Sequence, residues 1–141
     1  MPARIVVVDD NRTNLDLMLY LLKAFGHEAI GAPDGLSGFD AVREQSPDLV
    51  LCDILMPGID GYEFARRYKS KPRLRRHPLV AVTALAMVGD RERVLEAGFD
   101  GYISKPIDPQ TFITQVDSFL PEELRSLSLI HISEPTRQAE I

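Results

Sequence analysis

Residues 48–64, DLVLCDILMPGIDGYEF, contain one complete strand–turn–helix unit. The run 49–52 is apolar at every position, which is typical of a parallel strand covered on both faces of a sheet. Asp53 ends this run, the Met-Pro-Gly sequence at 56–58 favours a turn, and apolar side chains at helical spacing follow Gly61. The stretch therefore predicts a buried strand that brings a carboxylate to the turn before a helix.

The same unit recurs along the chain. Apolar runs at 5–8 and 79–82 predict two further strands, a weaker run at 102–103 predicts another, and 28–31 is a weak fifth candidate. Five alternations of strand and helix favour an open, doubly wound parallel sheet with helices on both faces. The apolar residues of the five predicted helices lie within 15–25, 36–42, 62–68, 94–97 and 112–120.

Composition excludes several classes of protein. The chain has 141 residues and a net charge of −5, so it has no general electrostatic attraction for nucleic acid or for anionic membranes. Its single cysteine, Cys52, excludes an intrachain disulfide framework and a cysteine-based metal cluster. No apolar run approaches the ~18 residues that span a bilayer, and the N-terminus is not a signal peptide. We therefore expect one cytoplasmic domain that binds neither nucleic acid nor a membrane directly.

The end of the chain differs in character from the rest. Residues 127–141 read LSLIHISEPTRQAEI, with no clear helical stripe, and their first part is similar to the translation of a sequencing-library transposase adapter. The alternative is a natural, poorly ordered C-terminus. We expect this segment to be a disordered fusion remnant that takes no part in the fold, with the natural C-terminus missing.

Polar side chains follow four of the five predicted strands. Asp9 and Asp10 follow the first, Asp53 the third and Thr83 the fourth, while the fifth leads into Lys105. In doubly wound sheets, functional groups gather beyond the carboxyl ends of the strands. We therefore expect three carboxylates, a hydroxyl and an ammonium to meet in one crevice.

That combination of groups indicates a particular chemistry. Adjacent carboxylates resist ionisation unless a cation joins them, and a hard divalent ion such as Mg²⁺ prefers oxygen ligands. The sequence lacks both GxxxxGK[ST] and a GxGxxG after the first strand, so a bound nucleotide is not indicated. A carboxylate can instead act as the nucleophile and form an aspartyl phosphate.

Four motifs at these strand ends carry a resemblance. VVVDDN at 6–11, residues 48–64, VAVTALAM at 80–87 and GYISKPID at 101–108 look like the motifs of bacterial two-component response-regulator receiver domains. The resemblance covers residues 4–120, and the stretch 80–108 is particularly similar to stand-alone receivers of the DivK type. It implies a (βα)5 flavodoxin-like sheet in the order 2-1-3-4-5. The receiver would then occupy residues 1–122, and 123–126 would be the end of a helix or a linker.

The resemblance also implies roles for the acidic residues. Asp53 would be the phosphoacceptor, taking a phosphoryl group from a histidine kinase or a histidine phosphotransfer protein. Asp10, Asp53 and the backbone carbonyl of Leu55 would bind Mg²⁺ directly, and Asp9 would act mainly through a coordinated water.

The switch residues follow from the same resemblance. Thr83 would hydrogen-bond the phosphoryl group, Lys105 would pair with its oxygens, and Tyr102 would turn inward as Thr83 moves. The bond before Pro106 would be a cis peptide, which is uncommon. The changed face would bind a downstream target in one state, so the chain would be a signalling module and not an enzyme acting on other molecules.

Three alternatives remain at this point. The chain could be a receiver cut from a larger response regulator, with an effector domain lost after Ser126. A phosphatase that uses an Asp-x-Asp pair fits poorly, because Asp9 and Asp10 are adjacent. A flavin-binding module fits poorly as well, since 11–14 is too polar and too short for its phosphate loop.

Two surfaces are notable outside this crevice. Leu17 and Leu21 lie away from the main apolar stripe of the first helix, which fits either overlap by a neighbouring element or a docking surface for a helical phosphodonor. Seven basic residues between 66 and 76 are best interpreted as a solvated charged loop, since no stacking aromatics accompany them.

Overall fold

Five parallel strands form one sheet, and their order across it, numbered along the chain, is 2-1-3-4-5, which confirms the predicted topology. The computed structural model describes residues 2–84 and 88–125. The expectations for 127–141 therefore lie outside the described residues. The strands are β1 (Arg4–Val8), β2 (Glu28–Ala32), β3 (Leu49–Asp53), β4 (Leu79–Thr83) and β5 (Gly101–Ser104). The helices are α1 (Arg12–Ala24), α2 (Gly35–Gln45), α3 (Gly61–Lys69), α4 (Val88–Glu96) and α5 (Pro109–Asp117), followed by a 3₁₀ turn at Glu122–Leu124.

Helices cover both faces of the sheet, as the unbroken apolar runs predict. Successive side chains of a strand point to opposite faces, so Val7 packs on the side of α1 and α5 while Val6 and Val8 pack on the side of α2, α3 and α4. All three valines are fully buried. The described part of the chain contains no helix that is long and apolar enough to cross a membrane.

Side-chain caps fix where the helices begin. In three helices, a side-chain oxygen accepts a hydrogen bond from the backbone N–H three residues further on. Asn11 accepts from residue 14 at 3.0 Å, Asp34 accepts from residue 37 at 2.8 Å, and Asp60 accepts from residue 63 at 2.9 Å. Asp108 also caps α5, with Pro109 at its first position as predicted. Two of these caps, Asn11 and Asp60, lie in the loops that follow β1 and β3, so they also hold the loops that carry the predicted site.

Gly61 allows α3 to begin directly against the end of β3. Its backbone N–H donates to the carbonyl of Ile54 at 2.8 Å, and a Cβ at this position would lie 2.6 Å from the Ile54 Cα. No side chain fits in that space. The absence of a side chain at residue 61 therefore holds the loop after Asp53 tightly against the strand.

The structure corrects one sequence prediction about the helices and decides between two alternatives for another. Helix α5 ends at Asp117, so Leu120 is buried from a turn beyond the helix and not from its apolar stripe. Leu21 is only 7% exposed and belongs to the core, and Leu17 packs half-buried against it. Of the two alternatives for these leucines, the structure therefore supports overlap by neighbouring elements for Leu21, because the buried face of α1 is wider than a single stripe.

Candidate functional site

Three carboxylates meet at the carboxyl ends of β1 and β3. One oxygen from each of Asp9, Asp10 and Asp53 lies within 4.8 Å of the other two. Asp9 is fully buried and Asp53 is 6% exposed, while Asp10 faces solvent. The parallel register places Val8 beside Cys52, and this alignment brings the residues that follow both strands to one edge. The structure thus brings together the acidic cluster that the sequence predicts.

Lys105 supplies a cation to this cluster. Its Nζ lies 3.1 Å from Asp9 Oδ2 and 3.3 Å from Asp53 Oδ1, and its side chain is 15% exposed. The Lys105 backbone N–H donates to the carbonyl of Thr83 at 2.9 Å, which ties the end of β5 to the end of β4. The bond between Lys105 and Pro106 is a cis peptide, as expected.

Asp53 is held in an environment that disfavours its charge. Burial raises the pKa of its carboxyl from 3.8 to about 6, and the neighbouring Asp9 carboxylate adds to the rise. The Lys105 ammonium opposes both effects in part. The carboxylate of Asp53 is therefore poorly stabilised by protein groups alone, and with a pKa of about 6 it is only half ionised at that pH.

The donor set fits a hard divalent cation. Asp9 Oδ1 accepts the backbone N–H of Asn11 at 2.9 Å, whereas Asp9 Oδ2 is buried with no hydrogen-bond donor in good geometry. The ammonium of Lys105 lies 3.1 Å from that oxygen. Three carboxylates and one ammonium leave excess negative charge in a mostly buried crevice, which a cation with oxygen ligands neutralises.

The remaining predicted residues occupy different places around this edge. Thr83 is the last residue of β4 and is 2% exposed, and β4 pairs directly with β3. Leu55 lies two positions beyond Asp53, with its side chain 64% exposed. Tyr102 is the second residue of β5; it is half-buried on the side of α2, α3 and α4, and the Arg91 guanidinium lies 5.7 Å from its ring centroid.

Asn11 is a site residue to which the sequence analysis gave no role. Its backbone N–H holds Asp9 Oδ1 while its side chain caps α1, so it fixes the turn that carries Asp9 and Asp10. The signal was available, because an Asn just before a helical stripe is a strong N-cap candidate.

Comparison with known proteins agrees with this arrangement. Residues 5–117 match the family described as the response regulator receiver domain. The chain belongs to this family. The receiver is 42% identical over 120 residues to the polar-differentiation response regulator DivK of Brucella anthropi, an alignment that covers 85% of this chain and 98% of that protein.

Solved receiver structures show the same fold. The chemotaxis protein CheY4 of Vibrio cholerae superposes with a TM-score of 0.81 at 22% identity, over 85% of this receiver and all of that chain. The receiver domain of a sensor histidine kinase from Pseudomonas aeruginosa has a TM-score of 0.76 at 29% identity, covering 84% of this receiver and 98% of that chain. That structure has a magnesium ion coordinated in its active site cleft. The predicted family, fold and role as a receiver in two-component signalling are therefore confirmed.

Proposed function

We propose that Asp53 is the residue of this receiver that accepts a phosphoryl group. The observation that carries the proposal is that its buried carboxylate, at the end of β3, lies beside Asp9 and in contact with the Lys105 ammonium. Asp9 is less suited to be the acceptor, because it is fully buried and one of its oxygens is held by the Asn11 backbone N–H.

The three carboxylates are the groups that would hold Mg²⁺. Asp10 and Asp53 are proposed to bind it directly with the backbone carbonyl of Leu55, and Asp9 through a coordinated water. When bound, the ion neutralises the carboxylates and the oxygens of the entering phosphoryl group. The buried Asp9 Oδ2, whose contact with the Lys105 ammonium at 3.1 Å lacks good hydrogen-bond geometry, supports this assignment.

The proposed phosphoryl transfer uses Asp53 as the nucleophile, with Lys105 and Thr83 beside it. A carboxylate oxygen of Asp53 attacks the phosphorus of a phosphohistidine, the P–O bond forms as the P–N bond breaks, and the imidazole leaves with the bond electrons and takes up a proton. Lys105 lies beside the acceptor and pairs with the phosphoryl oxygens as charge builds on them. Thr83, at the end of the adjacent strand, donates its hydroxyl to the product.

The product then changes a surface of the receiver. A phosphoryl group adds about two negative charges, which bias an existing equilibrium through the positions of Thr83 and Tyr102. The face built from α4, β5 and α5 would bind a target in one of the two states. The phosphodonor is a cytoplasmic histidine kinase or histidine phosphotransfer protein, and the output is a separate target or a linked effector domain.

The test is incubation of the purified chain with Mg²⁺ and acetyl phosphate, followed by intact-mass measurement. We expect a gain of one phosphoryl group that disappears with EDTA and in the Asp53→Asn variant. Asp16→Asn, an exposed change on α1, is the matched control and retains the gain. A phosphoryl gain that persists in Asp53→Asn, or no gain in the unmodified chain, contradicts the proposal.

A further inference from the structure

A long groove runs between α2 and α3 and continues over the loop after α3, away from the acidic site. Two adjoining cavities of about 750 and 450 Å³ make up this groove, and they share Arg43, Ser70 and Lys71 in their walls. The α2–α3 groove is defined by Leu36, Phe39, Arg43, Lys71, Leu74 and Arg76. It follows the whole of α2, whose 11 residues span about 16 Å.

The basic residues near this groove fall into two groups. Arg66 and Arg67 both contact Glu63, at 2.7 and 2.9 Å, and Lys69 contacts Asp100 at 2.9 Å. Arg43, which lines both cavities, is paired with Asp40 in the wall of the smaller one. The other group has no ion pair with any residue that the structure describes, and all of its members are exposed. This second group consists of Lys71, Arg73, Arg75 and Arg76. Three of these four cations, Lys71, Arg73 and Arg76, line one end of the open groove.

The loop that carries these charges is ordered by its own backbone. The N–H groups of Leu74 and Arg75 both donate to the carbonyl of Lys71 at 3.0 Å, and the Tyr68 hydroxyl donates to the carbonyl of His77 at 3.1 Å. The backbone of this loop is thus already ordered, so a ligand that binds the cations has to immobilise their side chains but not the loop itself.

The groove also has an apolar part. Leu36 is 64% exposed at one end, Leu74 is half-buried at the other, and the floor between them includes Phe39, which stacks on Phe64 at a centroid distance of 4.3 Å. Exposed apolar surface ringed by charges is typical of protein interaction sites. The apolar part distinguishes the groove from a loop that is merely solvated.

We propose that the α2–α3 groove docks an acidic segment of a partner protein that carries at least one apolar side chain. Carboxylates of the segment would pair with Lys71, Arg73 and Arg76, and the apolar side chain would pack near Leu36 or Leu74. The length of the groove favours an extended segment over a compact small molecule. A nucleic acid fits less well because Tyr68, the aromatic residue beside the cations, is fully buried and offers no stacking surface.

This site is separate from the acidic one. The cations of the groove lie near the amino ends of the strands, in the loop between α3 and the start of β4, whereas Asp53 ends β3. The opposite end of the groove, at Leu36, lies at the start of α2, on the carboxyl side of β2. A strand of five residues separates the two edges of the sheet by about 17 Å. Docking in the groove therefore requires no phosphoryl group. The acidic segment should bind the Asp53→Asn variant, although that variant cannot be phosphorylated at residue 53.

The test begins with selection from a display library of random segments of about twelve residues, using the full chain as bait. We expect the enriched segments to be acidic with an apolar residue. A labelled enriched segment is then titrated against Lys71→Glu/Arg76→Glu and against the matched double reversal Arg12→Glu/Lys23→Glu on α1. The groove variant should lose at least about tenfold in affinity, because two attractions become repulsions, and the control less than about twofold. Circular dichroism establishes that both variants are folded.

The other outcomes overturn the proposal. Enrichment of segments that are not acidic, enrichment that does not depend on Lys71 and Arg76, and no enrichment at all each contradict it. A single-stranded oligonucleotide that binds this groove more tightly than the best segment also contradicts it and identifies a nucleic-acid site. Titration of Asp53→Asn separates this result from the phosphoacceptor assignment, since the segment binds that variant with unchanged affinity.

Discussion

The raised pKa of Asp53 predicts that replacing this residue stabilises the metal-free protein. Burial and the Asp9 carboxylate hold the pKa at about 6, against 3.8 for an ordinary carboxyl. A group whose pKa is raised in the folded state binds its proton more tightly there than in the unfolded chain. Its stabilising effect is therefore complete below about pH 4 and is lost as the pH rises through about 6.

The magnitude follows from the size of that shift. Each pKa unit corresponds to about 1.4 kcal/mol, so the ionised Asp53 carboxylate lowers the free energy of unfolding by about 2–3 kcal/mol at about pH 7.5. Asn cannot ionise and occupies nearly the same volume. In EDTA at about pH 7.5, Asp53→Asn should therefore raise the free energy of unfolding by about 2–3 kcal/mol, and at about pH 4 the difference should be small.

Urea denaturation in EDTA across this pH range measures the effect directly. The difference between variant and unmodified chain isolates residue 53, because the other titrating groups are common to both. Asp16→Asn, an exposed change on α1, should alter stability by less than about 0.5 kcal/mol at every pH. A gain in Asp53→Asn that is absent at about pH 7.5, or equal at both ends of the range, refutes the reasoning.

Three further variants test other contacts. Lys105→Gln removes the ammonium between two buried carboxylates. Urea denaturation in EDTA should therefore show a free energy of unfolding lower by about 2–3 kcal/mol, and added Mg²⁺ should reverse that loss. A loss of stability that Mg²⁺ leaves unchanged contradicts this prediction. Gly61→Ala places a Cβ against the backbone of β3 and should lower the free energy of unfolding by more than about 2 kcal/mol. Gly89, an exposed residue of α4, is the control: a Cβ there meets no atom within 4 Å, so Gly89→Ala should be neutral or stabilising. Equal losses of stability in the two variants would refute the steric argument. His27→Leu removes a buried donor 3.2 Å from Asp117 Oδ1. It should lower the stability of the fold by about 2 kcal/mol, measured as a lower midpoint of thermal unfolding. An unchanged midpoint would show that this contact is dispensable.

Much of the fold could be predicted because its signals are local. Unbroken apolar runs identify strands that are covered on both faces, and β3 was found within one residue of its observed end. The side chains that follow such runs necessarily reach one edge of a parallel sheet, which is why Asp9, Asp53 and Lys105 could be brought together before any distance was known.

The features that were missed depend on contacts between distant parts of the chain. His27 accepts the Ala3 backbone N–H at 3.1 Å and contacts Asp117, which is 90 residues away, so no local pattern reveals this pair. The burial of Leu21 was left open between two alternatives, because helical spacing counts one stripe and does not show how far a neighbour overlaps the helix. The different roles of Lys69 and Lys71 also depend on distant groups, since only Lys69 reaches Asp100.

Chemical trapping of the phosphorylated residue tests the central assignment most directly. The chain is incubated with Mg²⁺ and acetyl phosphate, reduced with borohydride, which converts an aspartyl phosphate to homoserine, and then digested for peptide mass spectrometry. The account predicts homoserine at position 53 and unmodified Asp9 and Asp10. Homoserine at either of those two positions, or at none of the three, would contradict the assignment of Asp53 as the phosphoacceptor.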